Sequence, residues 1–401
     1  MPQTKSTIEE LLLWASGLGT SLHPEVEVYQ DATTGMSFRA RKDIPPATKL
    51  VTCSYGVTLS YLNAVGASGF ARHTSAPFPQ AFLDALSPED PHIIGHFFLA
   101  QQYLLRERSF WWHYIRLLPQ PDKPSRIPVL WPKEDQRYLD GTNAEPAMKK
   151  RTSLWKDEWQ KGTALLQRFE NWEQYSYDLY KWAGSIFGSR SFRPSLTIPD
   201  ELVPDHADHV RRDKFSVLLP VMDIGNHNGL NNVNWTSDPT SRVFTLSNTG
   251  HIRKNDQIFN YYGNKSNSEL LVGYGFTLTA TSELDRDVVN LKLKPGADAL
   301  ALRQSQHCHV IPMLSEEKFM FAVQKKMGLE DAKGLIDLVI CMVANKRERK
   351  YLSHHPDHCP EGDPDVFKSP LARAILMTLQ ILNAKLRLEF GRITASGASR
   401  Q

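Results

Sequence analysis

The chain has no pair of cysteines close enough in sequence to suggest a shared role. Cys53, Cys308, Cys341 and Cys359 are scattered over 401 residues, and none forms a C-x-x-C pair. That excludes a disulfide-stapled scaffold and points to a reducing, intracellular compartment: the cytoplasm, with the nucleus as an alternative. There is no run of about 18 apolar residues, so no membrane span is expected. The polar stretch Met1 to Glu10 carries no visible secretory signal. Net charge is only +3, from 47 basic and 44 acidic residues, too even a balance for nucleic-acid binding by bulk electrostatics. No internal repeat or low-complexity tract breaks the chain.

What remains is an ordinary globular composition, 41% hydrophobic and 23% charged, with length for two domains. Val26-Glu-Val-Tyr29 and Met36-Ser-Phe-Arg-Ala-Arg41 alternate apolar and polar residues as half-buried strands do. Another strand is expected from Lys49. The stripe Ile93, Ile94, Phe97, Phe98, Gln101, Leu104 and Leu105 predicts a helix, with Gln101 as its polar exception. Aromatic-rich Phe110-Trp-Trp-His-Tyr-Ile115 follows, then helical patterns at 152–171 and 175–187. Short strands return at Phe215–Val221, Val243–Leu246 and Gln257–Tyr261. Gly229, Asn231, Asn232 and Asn234 predict an irregular loop between the first two. From about Pro312 the pattern is helical: Ser315 caps a helix through Phe319, Met320, Phe321 and Val323 that stops at Gly328. A second helix runs from about Glu330 to Tyr351, and Ser369-Pro370 starts a last one.

Two motifs stand out. The first is Asp223-Ile-Gly-Asn226-His227-Asn228. The second is Asn260-Tyr261-Tyr262-Gly263, continued through Lys265-Ser-Asn-Ser-Glu269 to Tyr274-Gly275-Phe276. Read residue by residue, Asn226 is a turn former, His227 a partly buried ring, and two adjacent tyrosines suit a strand, on which only one can face a given channel. Ser266 or Asn267 can cap a short helix.

Together these motifs resemble the C-terminal half of a SET domain, a family that transfers a methyl group from S-adenosylmethionine to a protein side chain, usually lysine. The order of strands, helical insertion, strands and helical tail resembles the branch typified by the Rubisco large-subunit methyltransferase, over roughly residues 8–390. The resemblance implies an α+β fold: a SET domain over 20–280, with core strands at about 20–60 and 215–280, a helical insertion at about 80–214, and an all-α substrate-binding-like domain at 312–392. It implies Tyr262 as the catalytic tyrosine, with Tyr261 as the competing assignment. Asn226 would hold the methionine ammonium, the backbone around His227 would meet the adenine, and Phe276 would stack on it. Tyr274 would wall the lysine channel. Asp223 would face that channel or brace the turn.

Ser189-Arg190-Ser191-Phe192 resembles the family's Ser-Arg-x-Phe. Arg190 would pair with the cofactor carboxylate, as a guanidinium does bidentately, or serve a helix end; Ser189 and Phe192 would line the substrate side. The family's Gly-x-Gly, where backbone approaches the cofactor, is represented by Gly35-Met36-Ser37. Gly35 survives, the second glycine is serine, and the acidic neighbour is absent.

No metal is expected. His354, His355, His358 and Cys359 fit no familiar zinc spacing, and His307-Cys308-His309 reads as a short strand. Lys346-Arg-Glu-Arg-Lys350 reads as a solvated helix C-terminus. Trp111 and Trp112 could face a peptide, but core packing is the commoner fate. The expected function is a protein-lysine methyltransferase acting on a non-histone, ribosomal or translation-associated protein as a monomer, without membrane or direct nucleic-acid partners. A SET-like binding module and a histidine-directed methyltransferase are the alternatives.

Overall fold

Strands form where the sequence alternates. In the computed structural model, which describes residues 2–70, 77–167, 171–306, 320–324, 335, 338–354 and 370–395, Val26–Asp31 pairs antiparallel with Gly35–Ala40. The Asp31 carboxylate closes that hairpin by accepting from the Thr33 and Thr34 amides, and Gly35 supplies the left-handed backbone at φ +80°. Gln257–Ile258 adds a third strand on the Gly35–Ala40 side. A second sheet runs Ser21–Leu22, Lys49–Ser54, Val243–Asn248, Val233–Asp238, and a third joins Leu59–Ser60, Val217–Leu218 and Ser191–Phe192. Phe38, Val51, Cys53, Phe244 and Leu246 are buried between these short sheets. The fold is α+β.

Two strands stand where the sequence reading had a loop and a helix. Val233–Asp238, read as part of an Asn-rich loop, is a strand paired in full register with Val243–Asn248. Asn and Gly suppress the local β signal, but a tight Asp238 turn, whose carboxylate accepts from the Thr240 and Ser241 amides, delivers the partner. Met320–Gln324, read as helix, is a strand on Val288–Lys292; a short apolar run carries no period that separates the two, and a partner strand decides it. The C-terminal part is therefore not all-helical.

By contact the chain forms two units. One comprises Met1–Trp131, Met148–Lys265 and Val272–Gly275; the other Pro132–Ala147, Ser266–Leu271 and Phe276–Gln401. The first holds the three sheets and most of the helical insertion. Pro91–Leu105 buries Ile93, Ile94, Phe97 and Phe98 as the stripe predicts, and the exceptional Gln101 with them. Ala144–Leu166 crosses it closely at Gly162, where a Cβ would sit 2.1 Å from the Phe97 ring.

The second unit packs Leu291, Leu293, Leu335, Leu338, Val339 and Ala374 into one core. Lys346–His354 begins, rather than ends, at the basic run: Asn345 and Glu348 exchange side-chain-to-backbone hydrogen bonds as a reciprocal cap. Glu348 also pairs with Arg373. A final helix spans Pro370–Ala395. Ser315, Phe319, Gly328, Ser369 and the groups at His307–His309, His355, His358 and Cys359 lie outside the described residues.

The insertion buries a polar knot. Glu158 accepts from the Tyr180 hydroxyl (2.9 Å) and meets His92 Nε2 (3.0 Å); His96 Nδ1 lies 3.1 Å from the same hydroxyl. Burial pushes the His96 pKa down from 6.5 to about 4, against the pull of Glu158. The folded value is depressed, so this stability is present above pH 6.5 and drains away as pH falls towards 4. Glu158, held below its usual range by His92, His96 and Tyr180 despite burial, acts in the same sense. The His96 gap alone is worth about 3 kcal/mol. Urea midpoints measured from pH 7 to pH 4 should fall accordingly, and fall less steeply in His96→Gln; parallel curves for the two proteins would rule the knot out as the cause.

Candidate active site

The two motifs lie side by side. The Asn260 amide donates to Asn226 O (2.7 Å), the Asn228 amide to Asn260 O (3.1 Å), and a parallel bridge joins His227 to Asn260. The chain enters this segment through Val221, a buried β-branched residue at φ 75°, ψ −49°. A γ-turn of that kind is strained by about 1–3 kcal/mol, and such strain collects at functional sites. It feeds the single turn Met222–Ile224 that carries Asp223.

Tyr262 is held on every side. Its amide donates to His227 Nδ1 (3.1 Å) and its hydroxyl to Gly225 O (2.9 Å). Its ring stacks on His227 (centroids 5.0 Å, 15°) and on Tyr274 (5.0 Å, 25°). Burial pushes its phenol well above the ordinary value of 10, so the group is a neutral hydroxyl at any physiological pH.

A cavity of about 280 Å³ opens here, lined by Ser189, Arg190, Phe192, Asp223, Tyr262 and Tyr274 among others. These are the expected catalytic tyrosine, all four expected substrate-side residues, and Arg190. Tyr261 lines it too, contrary to the expectation that only one of the two tyrosines could. The strand ends at Ile258, and residues 261–263 lie outside the ladder with Gly263 at φ +99°, so strand alternation does not govern them. Trp235, from the unforeseen strand, and Lys265 complete the wall, with Lys265 Nζ 5.8 Å from the Tyr274 ring centre.

Asp223 and Arg190 meet. Arg190 Nη1 lies 3.4 Å from Asp223 Oδ2 and 3.3 Å from Asp223 O. The Tyr114 hydroxyl donates to the same Oδ2 (2.8 Å). Burial raises the Asp223 pKa, and Arg190 and Tyr114 offset this only in part. Burial would lower that of Arg190, but Asp223, then Tyr114 and Tyr262, outweigh it and hold the guanidinium charged. Asp223 is thus an anchor for Arg190 as well as a wall. Tyr114 had no local signal: it comes from the aromatic run of the insertion, 109 residues before its partner.

Three of the expected cofactor-side residues, Gly35, Met36 and Asn226, come together at the hairpin. Asn226 Nδ2 donates to Met36 O (3.2 Å) and to Ser37 Oγ (2.7 Å). Gly35 stands at the turn before them, and His227 is buried against Tyr262. Phe276 is half-buried and belongs to the second unit. The donor set suits a zwitterionic amino-acid group. The Asn226 Oδ1 and Met36 O are acceptors for an ammonium. Arg190 Nε and Nη2 have no partner among the described residues and suit a carboxylate.

Known proteins resemble this chain over most of its length. No family model matches the chain. It is 28% identical over 363 residues to the ribosomal lysine N-methyltransferase set10 of Schizosaccharomyces pombe, covering 87% of this chain and 59% of that protein. The N-lysine methyltransferase setd6 of Xenopus laevis is 23% identical, over 89% of this chain and 78% of its own length. The crystal structure of the SET domain of LSMT bound to lysine and AdoHcy superposes with TM-score 0.63 at 19% identity, over 88% of this chain and 76% of that one. The fold is the SET fold.

Proposed function

We propose that this chain, a SET-domain protein of the Rubisco large-subunit methyltransferase-like branch, is an S-adenosylmethionine-dependent protein-lysine N-methyltransferase acting on a non-histone protein. The observation that carries the reading is Tyr262, a neutral hydroxyl fixed to Gly225 O between two stacked rings, at the wall of an aromatic cavity. S-adenosylmethionine supplies a methyl group activated by its sulfonium. Asn226 and Met36 O would hold its ammonium, Arg190 its carboxylate, and the backbone at Gly35 and His227 would serve the adenosine side.

The substrate amine must shed a proton, since lysine has a reference pKa near 10.4. The cavity favours the neutral amine. Arg190, Arg193 and Lys265 line it, the carboxylate of Asp223 is taken up by Arg190 and Tyr114, and Phe192, Trp235, Tyr261, Tyr262 and Tyr274 give it aromatic walls. Neighbouring cations lower the pKa of an entering ammonium. The raised pKa of Tyr262 keeps its hydroxyl protonated, so no tyrosinate is at hand to take the proton; its role is to orient the amine by hydrogen bonding, with positioning supplying much of the rate.

The insertion and the C-terminal region about 312–392 would present the protein substrate. A ribosomal or translation-associated target is supported by the fission-yeast relative, which is a ribosomal lysine N-methyltransferase by name. We place the enzyme in the cytoplasm with access to the nucleus, as a monomer that does not bind nucleic acid directly.

The test is to incubate the purified chain with methyl-labelled S-adenosylmethionine and a cell extract, then map the label by mass spectrometry. Label on lysine of discrete protein bands is expected. Label on histidine would move the assignment to a histidine-directed enzyme. No transfer, with no cofactor bound at millimolar concentration, would leave only a binding module.

A further inference from the structure

We infer that Ser37, the residue standing where the family has its second glycine, is a positioning residue that aims the Asn226 amide at the ammonium of the methyl donor. The inference rests on the function proposed above. Ser37 is fully buried and its hydroxyl is a junction. Asn226 Nδ2 lies 2.7 Å away, Gln257 Nε2 3.1 Å, Thr34 Oγ1 2.9 Å and Gly35 O 3.1 Å.

Counting protons fixes the orientation. A hydroxyl has one proton and two lone pairs. Gly35 O can only accept, and Thr34 Oγ1 is within reach of the Asp31 carboxylate for its own proton (3.1 Å). The Ser37 proton is therefore directed to Gly35 O and Thr34, and its lone pairs face the two amides. Asn226 must turn its NH₂ towards Ser37, as it must towards Met36 O, another pure acceptor. Its Oδ1 then points away from the hairpin, and it takes no hydrogen bond from any described residue. A glycine at position 37 would leave Met36 O, at the longer distance of 3.2 Å, as the one hydrogen-bond partner of the Asn226 amide nitrogen among the described residues. The departure from Gly-x-Gly thus removes one close backbone approach and adds a clamp on the side chain that reads the ammonium. Gln257, on the third strand of the same sheet, steadies the clamp from the other side by reaching both Thr34 and Ser37.

Calorimetric titration of the full chain with two ligands tests this. S-adenosylhomocysteine carries the amino-acid group; 5′-methylthioadenosine lacks it. Ser37→Ala and Ser37→Gly should each weaken S-adenosylhomocysteine about tenfold, the effect of losing one restraint on a charge-assisted hydrogen bond, and leave methylthioadenosine within about twofold. Gly is the family's own residue here, so that variant keeps the measurement interpretable if the alanine variant fails to fold. Equal weakening of both ligands, or unchanged affinity for S-adenosylhomocysteine, would overturn the role of Ser37 alone. Failure of the unaltered chain to bind either ligand would overturn the methyl-donor reading and this inference with it.

Discussion

Tyr262→Phe is expected to slow methyl transfer by about 10²–10³-fold, the usual cost of deleting one preorganised hydrogen-bonding group from a reacting centre. Cofactor affinity should change by less than about twofold. The phenylalanine keeps both ring stacks, on His227 and Tyr274, and the backbone bond to His227. It loses only the hydroxyl, which touches Gly225 O and not the Asn226 cluster. Folding should lose about 1 kcal/mol for the carbonyl left without its donor. Initial rates with labelled cofactor, read beside a binding titration of the same preparations, separate the outcomes. Tyr261→Phe is the control: Tyr261 lines the cavity but its ring leans on His227 at 5.7 Å and 43°, and its hydroxyl has no partner among the described residues. If Tyr261→Phe loses the larger share of the rate, the catalytic assignment belongs to Tyr261.

Gly263 and the downstream Lys265-Ser-Asn favoured Tyr262 in the sequence, but that both rings reach the cavity was not legible there, and the reason is physical. Adjacent tyrosines after a short apolar run read as a strand, where alternation puts one on each face. The ladder stops at Ile258, and the chain then binds sideways to residues 226–228. The pairing partner lies some 35 residues back, so no local window contains the information. The motifs themselves were legible because their chemistry is carried by residue type: an amide for an ammonium, a phenol for an amine. Their convergence on one site was legible only through the resemblance to a family.

Long-range partners escaped for the same reason. Tyr114 belongs to an aromatic run that any core would accept, and only the fold brings its hydroxyl to Asp223. Ser37 was visible as a departure from pattern, but its meaning needed Gln257 and Asn226 placed around it. Val233–Asp238 was hidden by Asn234 and by Asn231 and Asn232 just before it, although the strand supplies Trp235 to the cavity. Helices of the insertion were easier, since the period of Pro91–Leu105 is long enough to declare itself.

Trp111 and Trp112 stand together in sequence and should part in effect: Trp111→Ala is expected to cost about 5 kcal/mol of folding stability and Trp112→Ala about 1 kcal/mol or less. Trp111 is fully buried, edge-on to Phe98 (5.5 Å) and Phe110 (5.0 Å). Its indole N–H donates to both Val57 O (3.0 Å) and Thr58 O (3.1 Å), tying the insertion to the segment that leads into the strand Leu59–Ser60. Truncation leaves a cavity, worth about 3–5 kcal/mol, and two carbonyls without their donor. Trp112 is only half-buried, with the Arg106 guanidinium 5.6 Å over its ring. Trp111→Phe should fall between, because it keeps most of the packing and loses the donor. A loss of about 5 kcal/mol is comparable to the whole margin of many folded domains, so the Trp111→Ala protein should lose its cooperative urea transition or show it at far lower denaturant. Equal midpoints for the two alanine variants would mean that the Trp111 hydrogen bonds to Val57 and Thr58 do not hold the insertion to the core.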